Sequence, residues 1–211
     1  MRRLIAVIAA LPLSALVAAA SDFPMAEGFL GYHFVRFNPN SDFIPSFNAN
    51  GGGGQFAYNI NKWVSGVFDM GAVTKGTLGG FNIDSTVINF VAGPRVYFRN
   101  HSRFTPFVHA MFGGAYSTAS ARIDLDRSLI PDPLLPEDNR DRISARLNAS
   151  HTGFAMLAGG GLDIKINNHV AFRPIGADYY LTRLPSLVTG QNSNRNNFRY
   201  SAGFNFLFGK M

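Results

Sequence analysis

Residues 197–208 alternate between apolar and polar or small side chains, with Leu207 as the one exception. Every second position is apolar, and five of those six side chains are aromatic: Phe198, Tyr200, Ala202, Phe204, Phe206 and Phe208. Successive side chains of a β-strand point to opposite faces, so a period of two predicts a strand with one aromatic face. Strands that cross a bilayer need about 9–11 residues with apolar side chains outward. This segment has that length and that pattern.

Seven earlier segments show a related alternation. In the clearest of them, Phe56 and Tyr58 alternate with Gln55 and Asn59, which indicates a lipid-facing side and a polar inner side. The predicted strands are residues 27–37, 55–62, 65–73, 86–98, 106–116, 154–165 and 170–182, followed by 197–208.

The seventh strand, residues 170–182, has an inconsistent phase. Arg173 and Asp178 are five residues apart and cannot share a face of a regular strand. A β-bulge near Pro174 would bring both side chains inside.

The breaks between the strands alternate in length. Short breaks occur near residues 62, 101 and 167, and long breaks near 45, 80, 133 and 190. Outer-membrane barrels have short periplasmic turns and longer outer loops. We therefore predict an all-β fold: a closed, up-and-down antiparallel transmembrane barrel of about eight strands, with both ends periplasmic. A soluble, lipocalin-like barrel with its aromatic faces turned inward is the rival interpretation.

The N-terminus predicts export. Arg2 and Arg3 precede an apolar stretch, which ends in the small residues Ala18, Ala19 and Ala20. These are the parts of a secretory signal peptide. We expect residues 1–20 to be cleaved, leaving residues 21–211 as one barrel domain in the outer membrane of a Gram-negative cell.

Composition agrees with a barrel and excludes some functions. Charged residues make up 15% of the chain, against about 25% in typical soluble domains, and there are 20 phenylalanines and no cysteine. Without the two arginines of the signal peptide the formal charge falls from +6 to +4, which is too weak and scattered to indicate nucleic-acid binding. No pattern indicates a cofactor or a metal.

Several short motifs carry a resemblance to a known family. They are Gly93-Pro94-Arg95, Pro106-Phe107-Val108-His109-Ala110, Gly159-Gly160-Gly161-Leu162-Asp163, Arg173 with Asp178-Tyr179, and the aromatic final strand. The chain resembles the small outer-membrane barrels related to the OmpA N-terminal domain and the opacity-type surface proteins, over essentially all of its mature length. The resemblance implies porin-like barrel architecture. It also implies that a terminal aromatic residue is read by the barrel assembly machinery. Three residues follow Phe208 here, so Phe208, with Phe204 and Phe206, would serve as the assembly signal from an internal position.

Charged residues at inward positions predict a polar lumen. An eight-stranded barrel is only wide enough for side chains to fill it, and buried charges must pair. We expect a salt-bridged network, with a narrow path for ions or small solutes as the alternative. Its members are Asp69, Arg95, His109, Asp163, Lys165, Arg173, Asp178 and Arg199.

The longest irregular stretch, residues 117–150, is the candidate binding loop. It combines arginines and acids with a small apolar cluster and three prolines. Exposed loops on rigid scaffolds commonly bind partners, although these leucines could instead fold back onto the barrel rim. The candidate contact residues are Arg122, Leu129, Ile130, Leu134, Leu135, Arg140 and Arg142.

These features predict a non-enzymatic barrel with a structural, surface-binding or adhesion role. A porin-like channel is the alternative, and a lipid-modifying enzyme is the less favoured third interpretation. His101 beside Ser102 and His151 beside Ser150 are adjacent only in sequence, and catalytic sets are defined by geometry. The expected partners are outer-membrane lipid and lipopolysaccharide, the barrel assembly machinery, and an extracellular ligand bound through the loops.

Overall fold

A computed structural model describes residues 23–38, 46–76, 83–100, 102–125, 143–185 and 192–209. The predicted signal peptide, residues 1–20, lies outside them. The described segments form eight strands: β1 (Ala26–Phe37), β2 (Phe47–Asn59), β3 (Val64–Lys75), β4 (Ile83–Tyr97), β5 (Phe104–Leu125), β6 (Ile143–Lys165), β7 (Val170–Pro185) and β8 (Asn192–Phe208). Within these segments, no helix has the length and apolar character needed to cross a membrane.

The eight strands close into one barrel. Each strand pairs antiparallel with the next, and β1 pairs with β8 from Ala26↔Phe208 to Arg36↔Phe198. Closure satisfies the backbone groups of both β1 and β8, so the sheet has no free edge in its spanning part. The predicted architecture of an antiparallel eight-stranded barrel is confirmed.

The facing assignment follows the alternation in the sequence. Phe56 and Phe204 are 55% and 48% exposed on the outer surface, whereas Gln55 and Asn205 are 5% and 2% exposed inside. The aromatic faces therefore point outward, which excludes the lipocalin-like arrangement with aromatics around an internal ligand.

Strand β2 begins eight residues earlier than predicted, so assigning residues 47–53 to a loop was wrong. Four successive glycines, Gly51 to Gly54, made this segment look like a loop. They instead pair with β1 on one side and β3 on the other. A Cβ on Gly51 would lie 1.9 Å from the carbonyl oxygen of Ala72, so glycine is required there for close backbone approach.

The predicted loop 117–150 was also too long. Strand β5 continues to Leu125 and β6 begins at Ile143, and their pairing is unbroken to Leu125↔Ile143. This part of β5 does alternate, with Ala119, Ala121, Ile123 and Leu125 between polar residues, but its apolar positions have the inward parity of Met111 and not the outward parity of a lipid-facing strand. The ends of the other two long loops are strand as well, since β4 begins at Ile83 and β8 at Asn192.

The predicted bulge in β7 is confirmed. The register between β7 and β8 shifts between Arg173 and Gly176, on either side of Pro174. The shift turns both Arg173 and Asp178 into the lumen, where they are 0% and 1% exposed.

Candidate functional site

Arg199 is the centre of the polar network inside the barrel. Its Nη1 and Nη2 donate to the two carboxylate oxygens of Asp69 at 2.9 and 3.0 Å, and its Nε donates to Asp178 at 2.9 Å. All three side chains are at most 1% exposed. One guanidinium thus neutralises two carboxylates in a geometry that uses its planar array of donors.

His109 extends this cluster toward the periplasmic end. Its Nε2 lies 2.8 Å from Oδ1 of Asp178, and its Nδ1 lies 3.4 Å from Nη2 of Arg95. Arg95 also donates to Oε1 of Gln55 at 2.5 Å and stacks 4.4 Å from the ring centre of Phe107. Gln55 and the aromatic face hold a cation for which no carboxylate lies within ion-pair distance among the described residues.

Arg173 forms the next ion pair toward the periplasmic end of the lumen. Its Nε and Nη2 donate to Asp163 at 2.6 and 3.0 Å, and its Nη1 shares Oε1 of Gln55 at 2.8 Å. The guanidinium also lies over the rings of Phe29 and Phe107, at 4.4 and 4.3 Å. Gln55 therefore links the Arg95 and Arg173 clusters through one oxygen.

Glu27 closes the network at the periplasmic end, and sequence reasoning missed it. Its carboxylate accepts hydrogen bonds from Arg99, from Tyr97 at 2.7 Å, from Asn59 at 2.9 Å and from Asn205 at 2.7 Å. Glu27 was taken only as the start of a strand, although it shares the inward parity of Phe29 and His33. Arg99 was assigned to a turn.

The described charges of this network balance. Four carboxylates (Glu27, Asp69, Asp163 and Asp178) face four guanidiniums (Arg95, Arg99, Arg173 and Arg199). Because an unpaired buried charge is costly, this balance makes a charged lumen compatible with a stable fold. The half-buried Lys165 lies at the periplasmic mouth, where it helps to line a cavity of about 460 Å³. Of the eight lumen residues named from the sequence, seven are buried, and Lys165 lies at their edge.

The extracellular half of the lumen is mainly apolar. Its inward polar side chains include the neutral pair Asn197 and Thr182, joined at 3.1 Å, and the half-buried Arg195, which is the register partner of Thr182. Around them lies a packed cluster of inward side chains that are at most 8% exposed. It contains Val35, Phe37, Ala49, Val73, Val87, Val91, Met111, Ala115, Ala155, Leu157 and Tyr180. The lumen is thus charged and hydrogen-bonded near the periplasm and sealed by apolar side chains above.

His33 lies at the boundary between these two halves. It is completely buried and stacks on Phe29 at a ring separation of 6.5 Å. Two inward glycines make room for it, since a Cβ on Gly53 or Gly71 would lie 2.4 or 2.6 Å from its ring.

The candidate binding loop divides between strand and undescribed residues. Arg122 lies in β5, directly opposite Arg146 of β6. The remaining predicted contact residues, Leu129, Ile130, Leu134, Leu135, Arg140 and Arg142, lie outside the described residues.

The predicted assembly aromatics share the outer surface near the periplasmic end. Phe204, Phe206 and Phe208 are 48%, 39% and 55% exposed, and Phe204 packs on Phe172 at 5.4 Å. Their position fits the aromatic girdle at the periplasmic interface of the outer membrane.

The described segments contain no serine and histidine placed as in a hydrolase triad. No serine hydroxyl hydrogen-bonds a histidine there, and His109 is bonded to Asp178 and Arg95 deep in the lumen. The same segments contain no cluster of three or more histidines and acids placed to hold a metal ion.

Closed topology, outward aromatics and a paired lumen define an outer-membrane β-barrel. The family model "Outer membrane protein beta-barrel domain" matches residues 4–206, and the chain belongs to this family. The comparison with curated proteins finds no significant match.

Solved structures share this fold at low sequence identity. The attachment invasion locus protein Ail of Yersinia pestis is 15% identical, with a TM-score of 0.56 over 87% of this chain and 99% of Ail. Neisserial surface protein A is 14% identical, with a TM-score of 0.55 over 87% of this chain and 97% of that protein. A structure of Ail in complex with the heparin analogue sucrose octasulfate is 15% identical in sequence, with a TM-score of 0.52 over 87% of this chain and 99% of Ail.

Proposed function

We propose that this chain is a surface-binding barrel that presents the β5–β6 hairpin to an extracellular ligand. The observation that carries the proposal is the extent of this hairpin. Strands β5 and β6 have 22 and 23 residues, whereas β1 and β3 have 12 each. Their neighbours stop earlier: β4 follows β5 only to Ala121, and β7 follows β6 only to Phe154.

The excess length projects out of the membrane. A strand needs about 9–11 residues to cross the apolar band, and each residue adds about 3.4 Å along the strand. About half of each long strand therefore lies beyond the lipid on the side of the long loops. A paired ribbon held by a closed barrel is a rigid support for a binding surface.

The hairpin has a feature that favours an anionic ligand. Arg122 and Arg146 are directly opposed in the β5–β6 register. Like charges opposite each other destabilise a strand pair, and a bound anion would offset the repulsion. Ail, which shares the fold, has been solved with a sulfated heparin analogue. We therefore propose sulfated or otherwise anionic glycans as the ligand class.

The structure of the lumen gives less support to the two other roles, a channel and an enzyme. A channel for ions or small solutes needs a continuous polar path, whereas Val73, Val87 and Ala115 of the apolar cluster lie further toward the extracellular end than the ion pair of Asp69 and Arg199. Catalysis needs a nucleophile with its base, and the described residues bring no serine to a histidine. A non-catalytic binding role is consistent with both observations.

The test uses a hairpin deletion and a charge variant. Replacing residues 122–146 with a short Gly/Ser linker should leave an inserted barrel that still migrates differently on gels before and after boiling. Binding of sucrose octasulfate, measured by calorimetry, should disappear. Arg122→Gln/Arg146→Gln should weaken binding without affecting insertion, and Lys62→Gln/Arg103→Gln, at the periplasmic end, removes the same charge as the control. Full binding by the deletion variant would reject the hairpin as the site.

A further inference from the structure

The outer wall formed by β7, β8, β1 and β2 carries a row of polar and aromatic side chains near its extracellular end. The register runs without interruption across the four strands: Asn48 pairs with Arg36, Arg36 with Phe198, and Phe198 with Tyr179. All four side chains are exposed on the outer surface. At a strand spacing of about 4.8 Å the row is about 15 Å wide.

This wall carries two cations. Arg36 is in the row, and Arg183 lies four residues beyond Tyr179 on β7. The side chains of Arg36 and Arg183 both point outward. An outward arginine costs about 2–4 kcal/mol at the bilayer midplane and about 0–1 kcal/mol near the interface. Their position near the strand ends therefore places them at the level of the outer-leaflet headgroups. Among the described outward side chains of these four strands there is no acid to pair with them.

Three asparagines of this wall present donors to the outside. Tyr32 donates its hydroxyl to Oδ1 of Asn50 at 2.5 Å, and Tyr179 donates to Oδ1 of Asn196 at 2.6 Å. Arg36 donates to Oδ1 of Asn48 at 3.4 Å. In each case the amide oxygen is occupied by a neighbour, so the amide NH₂ group remains to donate. The three asparagines therefore place three amide NH₂ groups on the outer surface of one wall.

We propose that this wall binds the phosphorylated sugar headgroup of an outer-leaflet lipid. The two guanidiniums would bind phosphate, and the amides would donate to sugar and phosphate oxygens. Amide donors on β2 and β8, which are two strand spacings or about 10 Å apart, favour a headgroup of several sugar rings over a single phosphodiester. Described outward side chains on β3, β4 and β5 at the corresponding level include Thr74, Thr86 and Tyr116, which are uncharged, and Arg122 lies six residues further along β5, in the hairpin. At this level the two cations of the wall are therefore on one side of the barrel.

The site is independent of the hairpin and its ligand. It lies on β7, β8, β1 and β2, whereas the hairpin belongs to β5 and β6. Loss of one binding function therefore leaves the other measurable.

The test measures lipid retained by the full barrel domain in zwitterionic detergent, by native mass spectrometry. The probes are deep-rough lipopolysaccharide, the same lipopolysaccharide after phosphatase treatment, and phosphatidylglycerol. Arg36→Gln/Arg183→Gln should lower the affinity for intact lipopolysaccharide by roughly tenfold or more, because two charge-assisted contacts are lost. Asn48→Ala/Asn196→Ala should produce a smaller loss.

Lys62→Gln/Arg103→Gln serves as the matched control, since it removes two cations at the periplasmic end. It should retain lipopolysaccharide as the unchanged protein does. Boiled and unboiled samples of each variant, compared on gels, show that the barrel is folded. Equal affinity for the phosphatase-treated lipid, equal affinity for phosphatidylglycerol, or an equal loss in the control variant would each overturn the proposal.

Discussion

Arg199 and Asp69 are joined by two parallel hydrogen bonds across the lumen, although they are 130 residues apart in sequence. Arg199 is on β8 and Asp69 is on β3, and these strands are not neighbours in the sheet. Hydrogen bonds between strands hold each strand to its two neighbours. This ion pair connects two strands that are separated by β1 and β2, so it fixes the shape of the barrel cross-section.

Replacing Arg199 should therefore destabilise the barrel strongly. Arg199→Met leaves Asp69 and Asp178 buried without their shared cation, and removing one partner of a buried ion pair costs about 3–5 kcal/mol. Urea unfolding in lipid vesicles, followed by the fluorescence of Trp63, measures the change. Arg183→Met, on the outer surface, is the control and should unfold at nearly the same urea concentration as the parent. Similar stability of the two variants would mean that the central ion pair contributes little.

A second prediction concerns the contact between Gly71 and His33. The three atoms nearest to a Cβ on Gly71 would all belong to side chains, with Nδ1 of His33 at 2.6 Å and Oδ1 of Asn89 at 3.1 Å. Gly71→Ala should lower the free energy of unfolding by about 1–3 kcal/mol through overpacking. Truncating His33 to alanine should remove the conflict, so the double variant should lose less than the sum of the single changes.

Gly66→Ala is the matched control for this prediction, because a Cβ there has no atom within 4 Å. It should leave the urea midpoint almost unchanged. Additive effects of Gly71→Ala and His33→Ala would show that the glycine is not needed to accommodate the imidazole.

The sequence predicted the parts of this fold that lipid determines. In β8, alternation of Phe204 and Asn205 is enforced because one side faces hydrocarbon and the other a packed lumen. The bulge was predictable from Arg173 and Asp178, since only a shift of phase brings both charges inside. Beyond the bilayer the outward side no longer has to be apolar, so in the continuation of β5 the apolar Ala121 and Ile123 alternate with the polar Arg122 in the opposite phase to a lipid-facing strand. A search for outward apolar residues therefore missed this part of the strand.

The candidate site was predictable only in part for a related reason. The alternation of side chains along each strand identified the inward charges, but it does not show which of these charges form ion pairs. The pairing of Arg199 with Asp69 depends on barrel closure, which brings distant strands face to face. The pattern gave even less indication of Glu27 and Arg99, because both lie at strand ends, where strand and turn are hard to separate.

A third prediction concerns assembly. We expect Phe208 to serve as the terminal aromatic signal, because it is the last residue of β8 and is 55% exposed on the outer surface. Phe208→Ala should reduce the amount of inserted barrel in cells, and deletion of residues 209–211 should not. Leu207→Ala, at the neighbouring inward position, controls for general weakening of the strand end. Normal insertion of the Phe208→Ala variant would show that the assembly signal lies in Phe204 and Phe206, or in another segment.

The last prediction concerns conductance through the lumen. The apolar cluster should block ions, because transfer of a charge into an apolar, close-packed region is very costly. In planar bilayers the protein should therefore show no stable, reproducible open steps. Met111→Ser/Leu157→Ser makes the cluster smaller and more polar, and it should introduce brief openings. Arg95→Gln changes only the charged, periplasmic half of the lumen and should produce no open steps in the bilayer. Regular open steps of the unchanged protein would favour the channel over the binding scaffold, and would require a water path past Val91 and Tyr180.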